Sequence, residues 1–315
     1  MIFVKALPYL TVIIPCYNEE QVIEATISQL HKSLLAIKSY EILAVDDGSS
    51  DKTWEKLLNL TASDRRVVGI RLSRNFGHQA AIIAGLAHSK GKLTAVLDAD
   101  LQDPPSVLVK MIELLEYKKV DVVFGVRKGR RGINPFLKVS YKIFYEMFAY
   151  LTGLGDGLQV GDFRVMKRCI VDRINNLTET DKFIRGLVPW LGFKQVGLDY
   201  IRHPRRSGSS KYKLKGLIEL AISGITSFSI LPLRAAILCA FLSAGLAILF
   251  AIWAIIDRYL VGSPPAGWTS IVVLILTMGS FHFLLIGVVG EYLGKIFLQT
   301  KNRPSFIVSE KTSAN

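Results

Sequence analysis

Two stretches near the end of the chain carry almost no charge, and they constrain it more than any other feature. Between Leu233 and Ile256 only Arg234 is ionised, and between Trp268 and Gly290 no residue is. A hydrocarbon core of about 30 Å takes about 20 helical residues, so each stretch is long enough to cross a bilayer. Buried in a soluble protein, the pair would need a large domain to cover it. The sequence therefore predicts two transmembrane helices, about 233–256 and 268–290, joined as a hairpin by the turn Asp257 to Gly267. Tyr259 and Trp268 at the turn, and Glu291, Tyr292 and Lys295 at the far end, suit the headgroup region. Lys213, Lys215 and Arg234 precede the spans and Lys295, Lys301 and Arg303 follow them, against Arg258 alone between them. The bias of basic residues toward the cytoplasm then places both ends of the chain there, with 295–315 as a cytoplasmic tail. Gly290 and Gly294, with Gly279, Ser280 and Gly287, form a small-residue pattern that lets helices approach closely. His282, inside the second span, is expected to bond a neighbouring helix.

The rest of the 315-residue chain is not membrane-like. A surplus of 39 Lys and Arg over 26 Asp and Glu, +13 in all, calls for a polyanionic partner: nucleic acid, an anionic membrane face or a phosphorylated substrate. The basic clusters flank a membrane segment and lack interleaved stacking aromatics, which argues against nucleic acid. Cys16, Cys169 and Cys239 are an odd set without metal-ligand spacing, so neither a disulfide framework nor a zinc site is expected, and a reducing compartment is. Leu10 to Pro15 is too short for a signal peptide, is followed by the acidic pair Glu19-Glu20, and reads as a strand.

Over 1–230 short β-rich runs alternate with helical patterns. Thr11 to Ile14, Glu41 to Val45, Val67 to Leu72, Thr94 to Leu97 and Val120 to Phe124 read as strands; Glu20 to Leu35, Thr53 to Leu60, His78 to His88 and Ser106 to Tyr117 read as helices. Such alternation predicts a mostly parallel α/β sheet, Rossmann-like, with its ligand crevice beyond the carboxyl ends of the strands. The polar residues cluster there: Pro15, Tyr17, Asn18 and Glu19 after the first strand, Asp46 to Asp51 after the second, Arg74 to Gly77 after the third, Asp98 to Asp103 after the fourth.

Neither GxGxxG nor GxxxxGK[ST] is present at the first turn, so a nucleotide would be held by other means. Asp98 and Asp100 are spaced i, i+2, which in extended backbone points both carboxylates to one side, with Gln102 next in register. Such oxygen ligands suit Mg²⁺ or Mn²⁺ shared with phosphates. Asp103-Pro104-Pro105 opens the following helix, and Asp103 reads as its cap.

Val12-Ile13-Ile14-Pro15-Cys16-Tyr17-Asn18-Glu19-Glu20, Val45-Asp46-Asp47-Gly48-Ser49-Ser50-Asp51, Asp98-Ala99-Asp100-Leu101-Gln102-Asp103-Pro104, Gly161-Asp162-Phe163-Arg164 and Arg205-Arg206-Ser207-Gly208-Ser209-Ser210-Lys211-Tyr212 occur in this order. With the C-terminal helices they resemble the inverting GT-A glycosyltransferases that act on polyprenyl phosphates, bactoprenol glucosyltransferases above all. The resemblance implies a cytoplasmic GT-A domain over 1–230, with a nucleotide half to about 110 and an acceptor and interfacial half beyond it. It implies that Pro15, Tyr17, Glu19, Asp46, Asp47 and Asp98 surround a nucleotide sugar. An Asp that accepts the uracil N3 proton favours UDP, while Asp46 and Asp47 also suit an Asx-type turn into Gly48. It implies a divalent cation, Mg²⁺ or Mn²⁺, held by Asp98, Asp100 and Gln102, with Asp100 central to leaving-group stabilisation. A homo-oligomer, a tetramer, is also implied.

The implied acceptor is a phosphate monoester, already largely ionised at neutral pH, so the difficulty is bringing two anions together. Arg127, Arg131, Arg205, Ser209 and Lys211 are expected at the phosphates. The remaining basic residues of the two clusters, Lys128, Arg130, Arg202, Arg206, Lys213 and Lys215, are expected at lipid headgroups. Asp162 is expected near the acceptor as a base or an orienting carboxylate, or else as the cap of a helix over Phe163 to Cys169. Asp156, in Gly155-Asp156-Gly157, is a further catalytic candidate. His78 opens a helix and reads as structural or as a phosphate contact. Amphipathic stretches at Phe136 to Leu151 and Leu214 to Phe228 are expected to lie in the membrane interface.

The expected activity is metal-dependent, inverting transfer of a hexose, glucose from UDP-glucose, to a polyprenyl phosphate in the cytoplasmic membrane. GDP-mannose or a UDP-aminopentose would use the same chemistry. A processive polysaccharide synthase would carry a Gln-x-x-Arg-Trp segment and more spans, neither of which is present. A non-enzymatic nucleotide-binding membrane anchor is the alternative from another class.

Overall fold

The computed structural model describes residues 7–128, 161–180, 182–202, 231–261 and 267–312. They fall into two compact units, one of residues 7–202 with 303–312 and one of 231–302.

The first unit is an α/β layer structure. Its strands are β1 (Leu10–Cys16), β2 (Tyr40–Asp46), β3 (Val67–Leu72), β4 (Leu93–Val96), β5 (Val122–Lys128), β6 (Arg164–Lys167), β7 (Gln195–Ile201) and β8 (Val308–Lys311). Its helices are α1 (Ile23–Ser33), α2 (Thr53–Ser63), α3 (His78–His88), α4 (Ser106–Tyr117), α5 (Arg168–Asn175) and α6 (Ile184–Trp190). The strands form one sheet in the order β7-β5-β6-β4-β1-β2-β3-β8. Within it β4, β1, β2 and β3 run parallel, β6 lies antiparallel between β4 and β5, and β7 is parallel to β5.

The central strand is apolar on both faces because both are covered. Val12 and Ile14 of β1 pack with Ile23, Ile27 and Leu30 of α1 and Leu108, Met111 and Ile112 of α4. Ile13 between them points the other way, into a core with Leu43, Val45, Ile70, Ala81, Ile82 and Leu86. On that side α3 lies so close to β1 that a Cβ on Gly85 would press into Ile13.

The alternation predicted from sequence is present, with the first four helices and five strands near their expected limits. One expectation is corrected. Phe163 to Cys169 is not one helix: it is the strand β6 followed by the start of α5, because Val165 and Met166 pair with β4 and β5 inside the sheet. The segment expected as a cytoplasmic tail carries β8, which adds to the sheet edge antiparallel to β3. The stretches Phe136 to Leu151 and Leu214 to Phe228 lie outside the described residues.

The second unit holds two helices in mutual contact, α7 (Leu231–Val261) and α8 (Trp268–Thr300). The segment Thr277–Thr300 is long and apolar enough to cross a membrane, and among the described residues no other helix is. In α7 the apolar segment that the described residues define is Leu233–Leu246. Glu291, Tyr292 and Lys295 do not end α8, which continues to Thr300 and is about 50 Å long at ~1.5 Å per residue. Large apolar side chains, Phe241, Leu249, Phe283 and Ile286 among them, stand exposed along both helices. His282 bonds within its own helix, to the Met278 carbonyl at 2.8 Å.

Candidate active site

The first three strand-end loops are laced together. Asn18 adopts φ 54° and accepts the Ser50 N–H at 2.9 Å on Oδ1, while its own N–H donates to Ser49 Oγ at 2.9 Å. The Glu19 N–H donates to Thr53 Oγ1 at 2.8 Å, which joins the β1 loop to the start of α2. Asp47 reaches the third loop: its two oxygens accept the N–H groups of Phe76 and Gly77 at 2.8 and 2.9 Å. Between them Gly48, at φ +66°, passes so close to the Arg74 backbone that a Cβ would come within 2.5 Å of it, a place for glycine alone.

Asp46 closes β2 and is fully buried. Its Oδ1 accepts the Ser49 N–H at 3.1 Å, the Asx-type turn foreseen in the sequence. Burial pushes its pKa up, against the hydrogen bonds from Ser49 and the charge of Arg71. Asp47 is raised likewise by burial, against its two backbone hydrogen bonds. Pro15 lies within β1 opposite Val45, and Tyr17, directly after β1, is 37% exposed.

The fourth loop carries the acidic residues. Asp100 Oδ1 accepts the Gln102 N–H at 3.1 Å, and Leu101 between them sits at φ 56°. Asp98 Oδ1 is buried without a hydrogen-bond donor, and burial raises its pKa although the charge of His78 opposes this. Arg202 lies across this loop, with Nη2 at 3.9 Å from Asp98 Oδ2 and 4.0 Å from Asp100 Oδ2, and Nε bonded to Asp103 Oδ1 at 3.0 Å. Arg202 was expected at lipid headgroups; the structure instead holds it on these carboxylates.

Asp103 does not cap α4, whose N-cap is Pro105 with no side-chain bond. Its buried carboxylate accepts the Tyr200 hydroxyl at 2.5 Å in addition to Arg202. Arg127 in turn bonds Tyr200 at 3.2 Å and approaches Asp103 at 3.8 Å. A long-range pairing with β5 and β7 thus takes the carboxylate away from its own helix.

Asp162 is likewise no helix cap. Arg185 holds it by two parallel bonds, Nε to Oδ1 at 3.0 Å and Nη2 to Oδ2 at 2.6 Å. His78 Nε2 stands 3.2 Å from its Oδ2, and Gln79 donates to Oδ1 at 3.3 Å. Burial alone would raise its pKa, but Arg185 and His78 hold it well below the usual carboxylate range. Paired in this way, the carboxylate fixes the Arg185 guanidinium and the His78 ring in place. His78 also lies 3.5 Å from Asp98 Oδ1 and so bridges the two carboxylates. Burial opposes its protonation, yet Asp162 and Asp98 raise its pKa above the ordinary value. Nearby Arg164 is 2% exposed and donates to the Gly161 carbonyl at 3.1 Å, with burial lowering its pKa to about 10.

The structure thus brings together Asp46, Asp47, Asp98, Asp100, Gln102, Arg127 and Asp162 at one end of the sheet. Arg131, Asp156, Arg205, Ser209 and Lys211 lie outside the described residues. Arg185, Gln79, Tyr200 and Arg71 escaped the sequence reading because no motif contains them. Two carboxylates and an amide oxygen, one carboxylate oxygen buried and lacking a donor, fit a hard divalent cation whose remaining ligands come from phosphate and water. Among the described residues no three acidic, His or Cys side chains gather as a complete metal site.

A parallel-centred sheet with an antiparallel β6 and an acidic loop after β4 defines a GT-A glycosyltransferase domain. The chain belongs to glycosyl transferase family 2, whose domain matches residues 11–174. It is 39% identical to glycosyltransferase YkcC of Bacillus subtilis over 95% of this chain and 93% of that one. It is 35% identical to the bactoprenol glucosyl transferase of Shigella phage SfII over 97% and 99%. Among solved structures, glucosyl-3-phosphoglycerate synthase from Mycobacterium tuberculosis, in complex with Mn²⁺, UDP and glucosyl-3-phosphoglycerate, superimposes with a TM-score of 0.50. That pair shares 18% identity over 70% of this chain and 78% of the other, a likeness of fold.

Proposed function

We propose that this glycosyltransferase moves glucose from UDP-glucose to the phosphate of a polyprenyl lipid, with inversion at the anomeric carbon and with a divalent cation. The observation that carries the reading is the near full-length similarity to a bactoprenol glucosyl transferase, which extends beyond the catalytic domain into the apolar helices.

In this reading the acceptor phosphate oxygen forms a bond to C1 of the sugar as the bond from C1 to the diphosphate oxygen breaks, and UDP departs. A phosphate with second pKa about 6 needs no base, which agrees with an Asp162 pinned by Arg185 and His78. Asp162 instead fixes His78 and Arg185 beside Asp98. Asp98, Asp100 and Gln102 would hold the cation, which when bound would neutralise charge on the departing diphosphate. Arg127 and Arg202, now facing Asp103, are among the described residues the guanidiniums paired with the acidic loop and suit the approaching phosphates.

Chain connectivity supports two membrane spans. The chain leaves the first unit before 231 and rejoins the same sheet at β8, so the number of crossings between must be even. With Thr277–Thr300 as one span, α7 is, among the described residues, the helix that would supply the other. Both flanks of the hairpin then lie on the side of the catalytic domain, which the basic residues assign to the cytoplasm.

The test is transfer of labelled sugar from UDP- and GDP-sugars to undecaprenyl phosphate in detergent, with Mg²⁺ or Mn²⁺ and with EDTA. Labelled lipid from UDP-glucose, abolished by EDTA and by Asp100→Asn, is expected. Label from GDP-mannose alone would overturn the donor, and full activity in EDTA would overturn the metal.

A further inference from the structure

The C-terminal strand lies two strands away from the donor half of the crevice and is linked to it by side chains. β8 is fastened to β3 through Thr312, which accepts the Gly69 N–H at 2.8 Å on Oγ1 and donates its own N–H to the Gly69 carbonyl at 2.9 Å. In register, Glu310 stands opposite Arg71, and Arg71 stands opposite Asp46. Glu310 accepts Arg71 Nη1 on Oε1 and Trp54 Nε1 on Oε2, both at 3.3 Å, and the guanidinium lies 5.7 Å from the Trp54 ring centre. On its inner side Arg71 Nε comes to 3.4 Å from Asp46 Oδ2 without a hydrogen bond, and that buried oxygen has no donor at all.

An ionised carboxylate that is wholly buried is stable only when paired and hydrogen-bonded. Asp46 has half of this. Oδ1 is bonded within its loop, and Oδ2 has a positive charge nearby but no N–H directed at it. Glu310 and Trp54 hold the guanidinium on the outer side and prevent it from closing the gap. A ligand N–H brought to the end of β2 would find an acceptor that is fixed in place and has no donor of its own, as the imide N–H of a uracil base requires.

We propose that the C-terminal strand is part of the donor site: Glu310, acting through Arg71, keeps the buried Asp46 carboxylate oriented and its Oδ2 without a donor, so that it can accept from the base of the nucleotide. The inference rests on the UDP reading above and deepens it. Glu310 and Arg71 are positioning residues, and the strand that follows the membrane helices sets how well the donor binds.

The test is UDP affinity by calorimetry on the full chain in detergent micelles, for the wild type and for Glu310→Ala, Glu310→Gln, Thr312→Ala and Arg71→Gln. Loss of Glu310 frees Arg71 to close on Oδ2, and a half-exposed ion pair of this kind is worth up to about fivefold in affinity. Glu310→Ala is expected to weaken UDP binding by about that factor, and Glu310→Gln, which keeps the acceptor for Trp54 but not the charge, by less. Thr312→Ala loosens the strand without touching Arg71 and is expected to leave affinity within about twofold. In Arg71→Gln the acidic limb of the affinity profile is expected to move to higher pH, because Arg71 opposes the effect of burial on Asp46. The other groups facing Asp46, namely Asp47, Asp51 and the buried Cys16 thiol, are unchanged in that variant. UDP binding by Glu310→Ala and Arg71→Gln equal to wild type overturns the proposal, as does an equal loss in Thr312→Ala, which would mark simple loosening of the strand. Wild-type chain that binds GDP and not UDP overturns the donor reading itself, a result visible before any variant is compared.

Discussion

Replacing Arg185 by Met removes the charge that Asp162 depends on while keeping most of the side-chain volume. Taking one partner from a buried ion pair costs about 3–5 kcal/mol, because the other charge is left uncompensated. Asp162 is 2% exposed but Arg185 is 29% exposed, and His78 and Gln79 remain as partners at 3.2 and 3.3 Å. The lower end of the range, about 3 kcal/mol, is therefore expected. For a domain of this size each kcal/mol is worth about 2–4 °C, so the melting temperature falls by about 6–12 °C. The loss depends on pH with a definite sign. The pKa of Asp162 is depressed in the folded state, so its stabilisation is present above the unfolded value of about 3.9 and disappears as pH falls through the folded value. The gap between wild type and variant is thus full at pH 7 and narrows only below about pH 4. Tryptophan fluorescence melts in detergent measure it, with Trp54 and Trp190 reporting on the first unit and Trp253 and Trp268 adding the signal of the helices. Adding Asp162→Asn to Arg185→Met removes the stranded charge and is expected to recover part of the loss. A loss under about 1 kcal/mol, a gap unchanged from pH 7 to pH 3, or a double variant weaker than the single would refute the reasoning.

Three further outcomes follow from the packing. Asp47→Ala strands the N–H groups of Phe76 and Gly77, at about 1–3 kcal/mol for each group left unbonded. Hydrogen exchange over Arg74 to Gly77 should accelerate strongly, while that of the β1 core stays slow. Gly85→Ala drives a methyl into Ile13, and overpacking of this kind costs about 1–3 kcal/mol. Its melting temperature should fall with donor affinity unchanged. Tyr200→Phe removes the hydroxyl shared by Asp103 and Arg127, at about 1–2 kcal/mol. Because it releases Arg127, acceptor KM should rise more than donor KM in steady-state transfer assays.

The parts of the fold that could be read from sequence are those with a strong local period. β3, α3 and α4 were expected at the limits observed, because each is a run of apolar residues ended by turn or cap residues. The loops after β1 to β4 were read as one site for the same reason. What could not be read was decided by partners far away in the chain. Asp103 before Pro104 and Pro105 has the local signature of a helix cap, yet Tyr200 and Arg202, about a hundred residues on, outcompete the helix for it. Arg164 to Lys167 has polar ends and no turn signal before α5, and only its place between β4 and β5 makes it a strand. Val308 to Lys311 is short and mostly polar, and an edge strand with one side in solvent imposes no apolar pattern that would reveal it.

The arrangement of charge explains why the proposed chemistry needs more positive charge than these carboxylates and guanidiniums supply. Four carboxylates, Asp98, Asp100, Asp103 and Asp162, are set against Arg127, Arg185, Arg202 and a His78 whose pKa is raised. Arg185 is committed to Asp162 by two bonds, and Arg127 and Arg202 both lean on Asp103. A diphosphate and a second phosphate brought into this set add several negative charges to a group close to balance. At low dielectric that repulsion outweighs what surface charges contribute. Positive charge must then enter with the substrates or be drawn from the segment that begins at Arg202, where Arg205, Arg206, Lys211, Lys213 and Lys215 follow without an acid between. A divalent cation on Asp98 and Asp100 would meet the first need. It would also compete with the Arg202 guanidinium for those two carboxylates and so free it for a phosphate.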